Sequence, residues 1–170
     1  MSLHATAIMP MTTTLKTVPG WLEAAEKYAE SAGFEADTFV DHRLHPGQFP
    51  LVRQIQAAAD SLKLACARLS GVEAPKHDDS ERTLAALRDR VNETIAFVEN
   101  IDPSAFEGAE EKLIPVPFAP GKVATGHDMT LQFSLPNFYF HTTHAYAILR
   151  SGGVPLGKRS FIPHLAMRDA

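Results

Sequence analysis

The strongest constraint on this fold is a periodicity. Leu84, Leu87, Val91, Ile95, Val98 and Ile101 recur at helical intervals, which leaves an α-helix with one apolar stripe that must be buried against another element. Asp78-Asp79-Ser80 offers capping residues before this helix, and Asp102-Pro103 ends it. The same period appears in three other places. From Phe49 to Leu69 the set Leu51, Ile55, Ala58, Ala59, Leu62, Cys66 and Leu69 forms a broad face closed by Ser70-Gly71. From Val18 to Ala32 the repeat is Leu22, Ala25, Ala29 and Ala32, with Pro19 in the opening turn and Gly33 as the stop. The last segment runs from Leu135 to Gly152-Gly153, with Pro136 in its first turn. Phe34 to Gln48 reads as a loop, because Pro46 biases His45 away from helical geometry. Between the third and fourth helices Leu113, Ile114, Val116 and Phe118, then Ala119-Pro-Gly-Lys122 and Val123, read as two short strands around a turn. Pro115 and Pro117 keep them at an edge.

Four such helices bury their stripes most economically against each other, so the expected fold is all-α, a four-helix bundle with a small β-hairpin appended between helices three and four. With 170 residues, 45% of them hydrophobic, the chain supports one core. We expect a single domain over residues 12–165. Residues 1–11 are set aside as a disordered or expression-derived extension, with Met11 as an alternative start. A net charge of −4 with no basic tract disfavours nucleic acid and anionic membranes as partners. No signal segment and no run of roughly 18 apolar residues is present, so a cytoplasmic location is expected. Cys66 is the only cysteine and reads as a small buried hydrophobe.

The polar residues are arranged less evenly than the apolar ones. On the last helix Asn137, His141, His144 and Ile148 share a narrow sector. On the second, Arg53, Gln56 and Asp60 fall within about 60° of one another. If the two helices run antiparallel, His141 and Gln56 reach similar depth, at roughly 1.5 Å per residue from the helix ends. The expected site is therefore a pocket of Arg53, Gln56, Asp60, Asn137, His141 and His144, suited to a divalent metal or an anionic small ligand. As metal ligands, His141, His144 and Asp60 give two imidazoles and a carboxylate with open positions for water or substrate. Such a site would activate a bound water or thiol, with Asn137 or Gln56 orienting the ligands. The competing reading makes Arg53, Gln56, Asp60 and Lys63 a solvated face and His141 a hydrogen-bonded interior histidine. His42 and His45 belong to an exposed loop, and no Ser/His/Asp order or Gly-rich phosphate loop is present.

The segments Leu-Pro-Asn-Phe-Tyr-Phe-His141, Ala-Tyr-Ala-Ile-Leu-Arg150 and Gly-Val-Pro-Leu-Gly-Lys158, with Phe49-Pro-Leu-Val-Arg-Gln-Ile-Gln-Ala-Ala-Ala-Asp60 and Arg68-Leu-Ser-Gly-Val72, resemble a domain-of-unknown-function family of the DinB/YfiT-like superfamily. The likeness runs from about residue 12 to 162. It implies an up-down-down-up four-helix bundle, often a homodimer, among relatives that bind zinc or nickel through three histidines and in some cases transfer thiol cofactors. Those relatives carry one histidine on the second helix and a His-x-x-x-His pair on the last. Here Asn137 and His141 stand at the pair, and no histidine lies between Phe49 and Leu69. Amide oxygens are weak ligands for these metals, so the resemblance implies a degenerate metal site around His141 that binds a small molecule or does metal-assisted chemistry. The alternative is a non-catalytic structural or stress-response bundle with a buried polar network and no metal.

Overall fold

The structure, a computed structural model, describes residues 2–162 and 167–169; the expected domain end at 165 lies outside them. Its helices are α1 (Met9–Leu15, continuing a π-helical turn over His4–Ile8), α2 (Val18–Ala32), α3 (Leu51–Ser70), α4 (Leu84–Glu99), α5 (Gly126–Asp128), α6 (Leu135–Ser151, continuing a π-helical stretch over Met129–Ser134) and α7 (Lys158–Phe161). Strands β1 (Leu113–Pro115) and β2 (Val123–Thr125) pair antiparallel, with Ile114 opposite Ala124. The expected stops hold: Gly33 and Gly71 both adopt left-handed geometry at the ends of α2 and α3. The start of α4 differs. Thr83, not Asp78-Asp79-Ser80, caps it, its hydroxyl accepting from Ala86 N at 3.0 Å.

The extension expected at residues 1–11 is corrected. Leu3, Ala7, Ile8, Met11 and Leu15 recur at helical spacing and are fully or almost fully buried, so the first residues seal the core with an amphipathic helix. The loop expected from Phe34 to Gln48 contains a 3-10 turn, Ala36–Asp41, that buries Phe39 and Val40.

The order of the helices follows from their cross-links. Glu26 of α2 pairs with Arg88 of α4 at 2.9 Å, and Lys16 with Glu99, so α2 and α4 are antiparallel. Asp60 of α3 meets Arg90 of α4 at 2.8 Å while Lys63 reaches Glu93 through His77, so α3 and α4 are parallel. Gln54 meets His141 and Ser61 meets Asn137, so α3 and α6 are antiparallel. The result is up-down-down-up. Parallel neighbours need a connection that returns along the whole helix, and residues 71–83 do this, running back over α3 as an extended crossover.

Trp21, Phe39, Phe106, Phe138, Leu22, Leu51 and Leu62 form the centre of the core, each worth about 1.5–3 kcal/mol on burial. At the end of α6, Gly152 and Gly153 lie against Phe39 and Tyr28: a Cβ at 152 would fall 2.5 Å from Phe39 Cε1, and one at 153 would fall 2.3 Å from Tyr28 Oη. The chain then returns to α2, where Trp21 Nε1 donates to Ser160 O at 2.7 Å and stacks on Phe161. Among the described residues no helix is long and apolar enough to cross a membrane.

Candidate functional site: two polar clusters on one helix

α3 is apolar toward the core and polar on both flanks. On the flank that meets α6, Gln54 is 1% exposed and His141 8% exposed. The Gln54 amide nitrogen donates to Phe49 O at 3.2 Å, which leaves its oxygen to accept from His141 Nδ1–H at 2.8 Å. This bond fixes the imidazole tautomer and turns the Nε2 lone pair outward. Nε2 has no hydrogen-bond partner among the described residues. Burial is the main cause that pushes the His141 pKa down, with His144 and Arg53 adding repulsion, so the ring is held neutral. Phe49 lies parallel to this ring at 6.3 Å and Phe140 stands edge-on at 5.2 Å. About one turn back along α6 and two turns on along α3, Asn137 Nδ2 donates to Ser61 Oγ at 2.8 Å.

The other flank faces α4 and the crossover. Arg90, on the apolar stripe of α4, is 3% exposed and donates to Asp60 at 2.8 Å, Asp79 at 3.1 Å and Glu81 at 2.9 Å. Arg53 donates to Asp79 at 2.7 Å and to Gln56 Oε1 at 2.8 Å, and Gln56 Nε2 donates to Glu81 at 2.6 Å. The buried Lys63 donates to Asp60 and to His77 Nδ1, each at 2.8 Å, and His77 Nε2–H donates to Glu93 at 3.1 Å. Burial pulls the Arg90 pKa down, but the Asp60 and Glu81 charges outweigh it and leave it raised. Burial pushes Asp79 up, yet hydrogen bonds from Arg53 and Arg90 hold it below the ordinary carboxylate range.

The six residues expected to share a pocket are thus divided. Asn137 and His141 belong to the α6 seam, whereas Arg53, Gln56 and Asp60 belong to the crossover clasp. His141 meets Gln54 and not Gln56. The three expected metal ligands are also separated: Asp60 is engaged by Arg90 and Lys63, and His144 donates from Nδ1 to Phe140 O at 2.7 Å. The Phe140 ring packs against both imidazoles, 5.2 Å from His141 and 4.1 Å from His144. Among the described residues no three His, Cys, Asp or Glu side chains converge to hold a metal ion. The residues present do not fit the three-histidine centre that the resemblance implies. Cys66 is buried, its thiol pushed up to about 12 by desolvation, which removes it as a nucleophile near neutral pH.

Sequence reasoning missed Gln54, Ser61, Arg90, Asp79 and Glu81. Arg90 carried a signal: it sits three residues after Leu87 and four before Thr94, on a stripe that is otherwise apolar.

The up-down-down-up order of the long helices is the one that the DinB/YfiT-like resemblance implies. A crystal structure of a DinB family member protein from Shewanella denitrificans superposes with a TM-score of 0.93 at 36% sequence identity, over 99% of this chain and 96% of that one. Residues 3–162 match the family model of a domain of unknown function, DUF1993, and the chain belongs to that family. No curated protein matches it.

Proposed function

We propose that this chain is a metal-independent DinB-like bundle in which the α3–α6 seam is a structural lock, standing where relatives of the superfamily are implied to hold a metal. One observation carries the reading: His141 Nδ1 is committed to Gln54 Oε1 at 2.8 Å inside the seam, with the Gln54 amide itself pinned by Phe49 O. Asn137, the other residue at the expected histidine pair, spends its amide on Ser61. A buried polar contact of this kind fixes helix register, because any slip leaves a donor or acceptor unsatisfied.

The second reading is binding of a small molecule, with or without a metal, at His141 Nε2. It is favoured by the outward lone pair and by the neutral ring, which suit an acceptor or a base. The exposed Phe49 and Phe140 would flank such a ligand, or a second copy of the chain in a homodimer.

Metal analysis of tag-free protein, paired with a His141→Ala variant, separates the readings. The lock predicts no stoichiometric zinc or nickel, an unchanged melting temperature after chelator dialysis, and a variant destabilised by about 1–3 kcal/mol. Stoichiometric metal that disappears in His141→Ala would overturn it in favour of the second.

A further inference from the structure

The crossover does more than join two helices; it fills a charged recess. Without residues 71–83, α3 and α4 bring Arg53, Lys63 and Arg90 around the carboxylate of Asp60, with the exposed Glu93 farther along α4. Asp79 and Glu81 supply the missing negative charges, both accepting from Arg90 Nη1, and Gln56 presents its amide to Glu81.

We propose that Arg53, Gln56 and Arg90 form a binding site for a small dianion, held closed in this state by the carboxylates of Asp79 and Glu81 in the ligand's place. Two observations separate this from an ordinary surface clasp. Arg90 keeps its Nε–H buried and without a partner while three carboxylates crowd its other nitrogens, so the pairing of this guanidinium within the chain is incomplete. Asp79 is the only non-glycine residue among those described with a positive φ, at 56°. That backbone conformation is disfavoured for a residue with a Cβ, and here it serves to aim the carboxylate at two arginines. A phosphate dianion carries the same charge as the two carboxylates and has oxygens enough for both of the bonds that Arg90 Nη1 now makes. A dicarboxylate carries the charge with a different reach. The crossover has no regular secondary structure between Gly71 and Arg82, so it is the part of the site able to leave.

The test uses inorganic phosphate and malonate, each at matched ionic strength, on the full chain. The variant Asp79→Asn/Glu81→Gln preserves shape, and asparagine tolerates the positive φ. It should bind phosphate about thirtyfold or more tightly than the native chain, the scale expected when a competing buried charge is removed. In the native chain, phosphate should speed amide exchange over residues 72–82 and leave α3 unchanged. Gln56→Leu on the double variant should weaken binding. Response to malonate and not to phosphate assigns a dicarboxylate ligand. Should the double variant fail to fold, Asp79→Asn alone and the native exchange experiment decide. Neither anion altering exchange over 72–82 beyond the effect of chloride, with no binding by any folded variant, would overturn the proposal.

Discussion

Along α3, the flank against α6 is closed by two neutral hydrogen bonds, Gln54–His141 and Ser61–Asn137, whereas the flank against α4 is closed by ion pairs gathered on one buried guanidinium. A neutral bond adds little net stability but costs its desolvation when one partner is removed. A buried charge magnifies that asymmetry, because the partners left behind are ions. The two flanks should therefore differ in the size of their response to truncation and in the pH at which they weaken.

The largest effect should come from Arg90→Ala, which takes a cation from Asp60 and Asp79 and leaves Glu81 with the Gln56 amide in place of an ion pair. A loss of about 3–5 kcal/mol in urea unfolding is expected, and a loss below about 1 kcal/mol would show that water already shares the cluster. Next is Gln54→Ala, which leaves His141 Nδ1–H buried without an acceptor and should cost about 1–3 kcal/mol. In a double-mutant cycle, Gln54→Ala should couple to His141→Ala and be additive with Arg90→Ala, since neither Gln54 nor His141 hydrogen-bonds to Arg90 or to its carboxylates. Coupling between Gln54 and Arg90 would erase the distinction between the flanks.

The smallest effect is the dependence on pH, which has the same sign in the two flanks but falls in different ranges. Burial lowers the His141 pKa in the folded chain, so its contribution is complete above the unfolded value of about 6.5 and is lost as pH falls below it. Asp79 is lowered too, burial notwithstanding, by its bonds to Arg53 and Arg90. Its contribution holds down to about pH 3.9, the unfolded value, and is lost below that. Stability should thus decline in two stages on acidification, and His141→Ala should flatten the first without moving the second.

The fold was largely legible because it rests on apolar repeats. The ends of α2, α3 and α6 lie within a residue or two of where Gly33, Gly71 and Gly152 suggested. The N-terminal helix was equally legible in Leu3, Ala7, Ile8 and Met11, and was lost only by setting those residues aside. The site was less legible for a geometric reason. A helical wheel shows that α3 has polar residues on both sides of its apolar face, but it does not say which side meets α6. Gln54 and Gln56 differ by about 200°, so choosing Gln56 assigned the whole Arg53–Asp60 stripe to the wrong neighbour. Nor does the wheel contain the crossover, whose Asp79 looked like a helix cap and instead reaches Arg53 and Arg90.

Gly152 and Gly153 look in the sequence like a simple stop for α6, yet their limits are set by rings more than a hundred residues earlier, Phe39 and Tyr28. Grafting the last helix of a relative onto this scaffold would therefore succeed only if the donor's partners for that corner travelled with it. Compatibility there is a property of three segments inherited together.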